Sequence, residues 1–375
     1  MYSKPKNIGL LEIKNRFVRS ATFEAMATED GYVTDKLVGL YKALAEGGVG
    51  LIISGLVYIQ SNGQIFEHQA GIHKDEFIPG FRKITEIVHK YGDNCKIALQ
   101  IGHCGRQSRV VENTIAPSAV LEKLTKKLPR EMTIEEIQET IDAFAQGIRR
   151  AKEAGFDAVQ FHAAHGWLLS EFLSPYTNRR TDEYGGSTEN RVKIIEDIYK
   201  KSVELVGKDF PILIKMNADD FVEGGITLEE SKKIAEKFSK IGLAAIEISG
   251  CMWDTVKRRK EEIGWKATFI PESRVAIGSK NKEAYHLPYA KEIKRVIDVP
   301  LILVGGINSL DLVEKILTEG SADFISLSRP LIREPDLPNR WLKRIGDPSV
   351  DCIYCNSCLS SLMSGGLRCV KKEKK

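Results

Sequence analysis

His162 and His165 stand three residues apart in the segment His162-Ala163-Ala164-His165-Gly166-Trp167, which follows directly on the apolar run 157–162. Two imidazoles so placed at a strand end can aim ring nitrogens into one pocket, to grip a carbonyl oxygen or to ligate a metal. A metal needs a third ligand, and His103 is a candidate, so a metal-dependent hydrolase or lyase using His103, His162 and His165 stays open here. Lys215 lies among Ile212, Ile214 and Met216. A cation on such a buried run has a role beyond solubility more often than not. Four of the seven cysteines crowd the carboxyl end as Cys352-x2-Cys355-x2-Cys358-x10-Cys369. Soft thiolates at this spacing suit a [4Fe–4S] cluster, with zinc or free thiols as the alternatives. Cys95, Cys104 and Cys251 are scattered, and an odd count in a chain with no visible export signal argues against a disulfide framework.

The elements that must position these groups are visible as eight short apolar runs at 17–22, 49–54, 96–100, 157–162, 211–216, 244–249, 300–305 and 323–328. Each is nearly continuous in apolar residues, as expected of parallel strands covered on both faces. Helical periodicity separates them. The clearest helix spans 134–154, with Ile137, Ile141, Phe144 and Ile148 on one stripe, a capping box from Thr133 and Glu136, and Gly155 at its end. A second capping box, Thr227 with Glu230, is expected to open the helix after the fifth strand. Such alternation fits a barrel or a doubly wound sheet. The strand ends decide: Ser20 and Thr22, Ser54, Gln100, His162, Lys215, Ser249, Gly305 with Gly306, and Ser328 with Arg329 are polar or glycine. A barrel converges all such ends on one face, whereas a doubly wound sheet concentrates them at one switch point. The expected fold is therefore an α/β (β/α)8 TIM barrel over residues 1–345, with a cysteine-rich extension at 346–375. The long segments 103–132, 163–190 and 250–285 are expected to serve the site.

The sequence resembles the Old Yellow Enzyme family of NADH:flavin oxidoreductases. The resemblance runs from Asn15-Arg16-Phe17 through Leu99-Gln100-Ile101-Gly102-His103-Cys104-Gly105-Arg106-Gln107 and the block 162–191, ending Glu189-Asn190-Arg191. It continues through Val304-Gly305-Gly306-Ile307 to Ser328-Arg329-Pro330, and so covers essentially the whole chain. It implies an FMN on the carboxyl face of the barrel, with its phosphate on Gly305, Gly306, Ser328 and Arg329. Gln100 would meet the pyrimidine edge, Lys215 the N1 and O2 side, and Ser20, Ala21 and Thr22 the ring. His162 and His165 would donate to the oxygen of an α,β-unsaturated carbonyl substrate, with NAD(P)H as reductant. Two positions depart from the pattern: Trp167 stands where relatives often carry a proton-donating tyrosine, and Phe23 where they carry Cys or Thr. Tyr58 and Tyr176 are candidates for the missing acid. The cysteine motif is similar to that of the trimethylamine dehydrogenase and 2,4-dienoyl-CoA reductase group, in which a cluster relays single electrons. The chain ends soon after Cys369, so a separate electron-transfer partner is expected, and a flavin or iron–sulfur electron carrier is a further reading.

A net charge of +4 spread over 375 residues gives no reason to invoke nucleic acid or an acidic membrane. No apolar run approaches the ~18 residues of a membrane span, and no secretory leader is visible, so a cytoplasmic enzyme is expected, compatible with a homo-oligomer.

Overall fold

The computed structural model describes residues 1–277 and 282–372; part of the long segment 250–285 and the last residues of the cysteine-rich extension fall outside these. Eight parallel strands form a closed ring. They are β1 (Phe17–Arg19), β2 (Leu51–Ile53), β3 (Lys96–Gly102), β4 (Ala158–Ala163), β5 (Ile212–Asn217), β6 (Ala245–Ser249), β7 (Leu301–Val304) and β8 (Phe324–Leu327). Each pairs with its successor in sequence, and β8 pairs with β1 to close the barrel. The fold is the expected (β/α)8 barrel.

Strand periodicity stacks the interior in layers, because alternate residues of each strand point inward. The lower layer is apolar: Val18, Leu51, Ile53, Ala98, Ala158, Leu213, Ala245, Ile302 and Phe324 pack in one cluster. Ile8 and Ile13 join that cluster from an antiparallel hairpin, Lys6–Ile8 with Leu11–Ile13, which stoppers the lower mouth. Two residues further along the strands, the inward positions become polar: Ser20, Gln100, Gln160, Lys215, Glu247 and Ser326, all buried. A second, larger core fills the space between the ring and its surrounding helices.

The helices behave as their sequences require, with one exception. In α3 (Ile134–Glu153), Glu136 N–H donates to Thr133 Oγ1 at 3.2 Å, and Thr133 N–H donates to the Glu136 carboxylate at 2.9 Å. Ile137, Ile141, Phe144 and Ile148 form its buried stripe. The expected second capping box is absent. Thr227 does precede α5 (Leu228–Ile241), the helix after α4 (Thr188–Val206), but it makes no side-chain cap bond. Glu230 turns instead to the guanidinium of Arg191, and takes a hydrogen bond from Thr188 Oγ1 at 3.2 Å. A charge-assisted bond to a nearly buried cation outcompetes the cap.

Candidate active site

The polar layer is a single hydrogen-bonded network centred on Glu247, fully buried on β6. Ser20 and Ser326 hydroxyls donate to Glu247 Oε1 at 2.8 and 2.9 Å, and Gln160 Nε2 donates to Oε2 at 3.0 Å. Gln100 Nε2 in turn donates to Gln160 Oε1 at 2.7 Å. Lys215 stands opposite Glu247 in strand register; its Nζ donates to Ser20 Oγ at 3.0 Å and lies 3.5 Å from the carboxylate. A buried charge is tolerated when it is paired and hydrogen-bonded, and here each partner fixes the other's position. Glu247, Gln160 and Ser326 were not singled out from the sequence. The signal was present: a carboxylate inside the apolar run 244–249, and a glutamine two residues before His162 on the same face of its strand.

His162 closes β4 opposite Lys215, while His165 lies on the following turn at φ +63°, before Gly166 at +80°. That left-handed pair bends the chain back over the barrel mouth, a conformation held for His165 by two anchors. Its N–H donates to Asn217 Oδ1 at 3.1 Å, and its carbonyl accepts from Gln107 Nε2 at 3.0 Å. The two rings meet edge to face with centroids 5.0 Å apart. Ala164 N–H donates to His162 Nδ1 at 3.3 Å, so the neutral ring carries its proton on Nε2 and is a donor there. His165 Nε2 lies 2.7 Å from Ser249 Oγ. Burial, helped by the Lys215 cation, holds His162 well below the usual imidazole range. Burial, then His162 and Lys215, does the same for His165. Both are neutral at pH 7.

Above this floor lies a 960 Å³ cavity lined by every residue expected to hold flavin or substrate: Ser20, Ala21, Thr22, Gln100, His162, His165, Lys215, Gly305, Gly306, Ser328 and Arg329. That volume falls in the range of small-molecule and cofactor sites. Gly305 and Gly306 adopt φ +116° and +71°. A Cβ at Gly305 would come within 2.7 Å of the Tyr285 ring, so that turn requires glycine. Thr22 and Ser328 hydroxyls touch at 2.8 Å. Glu272 also lines the cavity; burial pushes its carboxyl up to about 7, and its Oε2 has no hydrogen-bond partner among the described residues. The orphaned Glu272 oxygen suits a ligand N–H or O–H donor, and Arg329, the glycine turn and the fixed lysine suit anionic groups, a set that fits FMN.

The cysteine-rich segment forms one wall of the same cavity. Tyr354, Cys358, Leu359, Leu362, Met363 and Leu367 line it. Tyr354 O–H donates to Ile307 O at 2.8 Å, Leu367 N–H donates to Glu24 O at 2.8 Å, and Arg329 stacks on the Tyr354 ring at 4.7 Å. The four thiols are free. Cys352 lies within electrostatic reach of Cys358 and Cys369, and Arg333 Nη1 donates to Cys369 Sγ at 3.6 Å. Among the described residues, no three His, Cys, Asp or Glu side chains are gathered as a metal would hold them. The donor chemistry suits iron, but ligation requires the segment to draw together.

The histidine triad for a metal hydrolase is not assembled. His103 lies outside the cavity with both ring nitrogens engaged: Nδ1 accepts from Gly105 N–H at 3.0 Å, and Nε2 lies 3.2 Å from Asn62 Oδ1. Arg106 is a buttress, buried between Asp254 at 2.5 Å and Glu171 at 3.5 Å. Neither Tyr58 nor Tyr176 lines the cavity; Tyr176 O–H donates to Asp254 Oδ1 at 3.1 Å. Trp167 does line it, packed edge-on against Trp253 with centroids 5.0 Å apart, and Phe23 lies against Phe66 at 5.2 Å. Trp253 and Tyr285 come from the 250–285 segment that was expected to serve the site, whereas Phe66 and Tyr354 were not assigned to this wall from the sequence, because isolated aromatics in loops carry no positional signal.

Comparison with known proteins places the chain. It is 38% identical over 367 residues to an NADH oxidase of Thermoanaerobacter brockii, covering 96% of this chain and 54% of that one. It superimposes on a 2-naphthoyl-CoA reductase in complex with 2-naphthoyl-CoA with a TM-score of 0.87 at 27% identity, covering 99% of this chain and 56% of that one. The old yellow enzyme homologue from Zymomonas mobilis superimposes with a TM-score of 0.76 at 25% identity, covering 98% and 99%. The chain thus spans about half the length of the first two relatives. The model of the NADH:flavin oxidoreductase / NADH oxidase family matches residues 3–347, and the chain belongs to that family.

Proposed function

We propose that this chain is an FMN-dependent oxidoreductase that reduces an α,β-unsaturated carbonyl compound, with NAD(P)H as reductant. The observation that carries this reading is a pair of buried, neutral imidazoles, one with a defined Nε2 donor, sharing a 960 Å³ cavity with a fixed lysine, a glycine turn after β7 and an arginine after β8. FMN, when bound, supplies the two-electron transfer. On this reading Gly305, Gly306, Ser328 and Arg329 hold its phosphate through backbone N–H groups and the guanidinium. Lys215, held by Ser20 and Glu247, presents a cation where reduction concentrates negative charge. Gln100, oriented by Gln160, offers its amide to the pyrimidine edge, and Ser20, Ala21 and Thr22 flank the ring. His162 and His165 grip the substrate oxygen and draw electron density from its β-carbon. The indole of Trp167 is a donor with no usable acidity, so the α-carbon takes its proton from solvent.

Cys352, Cys355, Cys358 and Cys369 are on this reading the ligands of a [4Fe–4S] cluster, which would relay single electrons. Their spacing supports it, as does the place of Cys358 on the cavity wall. Seven free thiols suit a reducing compartment such as the cytoplasm.

The test is a visible spectrum of anaerobically purified protein, followed by denaturation and metal analysis. The expected result is a flavin doublet released as FMN, with a broad shoulder and about four irons per chain. Colourless protein that carries zinc and does not take up added FMN would overturn the assignment.

A further inference from the structure

We infer that the substrate is a flat, aryl-conjugated unsaturated carbonyl compound bearing an anionic group at its far end, read by an aromatic wall and Arg109. The inference rests on the function proposed above and adds the class of substrate.

The wall is continuous. The His162 ring meets Trp167 at a centroid distance of 6.2 Å, Trp167 meets Trp253 at 5.0 Å, and Trp253 meets Phe66 at 5.9 Å. Arg109 then lies over Phe66 at 5.8 Å and over Phe269 at 4.5 Å. All six residues line the one cavity. A chain of rings leading away from the oxygen-binding end favours a ligand that is itself planar, because offset and edge-on aromatic packing adds to simple area burial. The wall ends in a cation. Arg109 is exposed at the rim, and its N–H donates to Ile65 O at 2.9 Å, which ties its backbone beside Phe66. With the guanidinium lying over two rings, its N–H edge stays available, and a planar fork suits a carboxylate better than a point charge would.

The test follows the oxidative half-reaction by stopped flow in holoenzyme whose flavin has been photoreduced, so that no nicotinamide competes for Arg109. The probes are cinnamaldehyde, 4-carboxycinnamaldehyde and its methyl ester. In each case a hydride from the reduced flavin joins the β-carbon, a proton from water joins the α-carbon, the C=C bond becomes single and the flavin is oxidised. The carboxylate is expected to reoxidise the enzyme about fivefold faster than its ester at limiting concentration, the scale of one partly exposed ion pair. Arg109→Glu should reverse that order; because the ratio is taken within one variant, loss of folded protein cancels. Equal rates for acid and ester, or a ratio that Arg109→Glu leaves in place, overturns the inference. Failure of all three probes, cinnamaldehyde included, instead sinks the proposed function and the inference with it.

Discussion

The histidine pair was legible as a pair, but its state was not. Spacing placed His162 and His165 together; only burial, the nearby Lys215 and the Ala164 N–H on Nδ1 define His162 as a neutral donor. That state has a consequence for stability. A free imidazole titrates near 6.5, whereas both rings stay neutral far below that in the folded chain. Unfolded chains therefore bind more protons than folded ones below 6.5. Each ring's contribution is fully present above that pH and is lost as pH falls, by roughly 1.4 kcal/mol per unit. Replacing both rings, His162→Gln with His165→Gln, should shrink the drop in Tm between pH 7 and pH 5 in calorimetry. Other buried groups titrate equally in both proteins and cancel. An unchanged drop would mean that the rings are charged in the folded state. Glu247 teaches the converse lesson. Its charge made it conspicuous within an apolar strand, yet its role needs Lys215, Ser20, Gln160 and Ser326 to be seen together.

Among elements, the barrel strands were the most readable part, since each is a short apolar run ending in a polar residue. The two T-x-x-E motifs show where such reading stops. Both have the letters of a capping box, and only the one at α3 forms it. At α5 the competing partner is Arg191, remote in sequence, which also donates to Leu173 O at 2.8 Å and to Gly186 O. No local pattern could announce that competition. Stability should divide accordingly in denaturant titrations. Thr133→Ala should cost about 1 kcal/mol, the usual value of a lost N-cap. Thr227→Ala should cost less than about 0.5 kcal/mol, since no cap bond is lost. Glu230→Gln should cost about 1–3 kcal/mol, because the nearly buried guanidinium of Arg191 loses its carboxylate. Equal costs for the two threonines would contradict the difference between the helix starts.

Across the whole molecule, the cysteine-rich extension is laid along the cavity, a placement its sequence does not announce. Composition marks cysteines but does not say what they lie against, and the anchors involved, Tyr354 on Ile307 and Leu367 on Glu24, are far apart in sequence. Since this segment walls the cavity, loading apoprotein with FMN should slow amide hydrogen exchange across 354–367 several-fold or more, as ligand-coupled local ordering does. Exchange there that is indifferent to FMN would detach the segment from the site. The hairpin at the opposite end of the barrel has its own consequence. With Ile8 and Ile13 stoppering the lower mouth, the described chamber is approached from the strand ends above. Reductant and oxidant then share a doorway, and on the proposed function one must leave before the other is served. Each visitor, in abundance, delays the other, so traffic through the enzyme is a queue rather than a meeting.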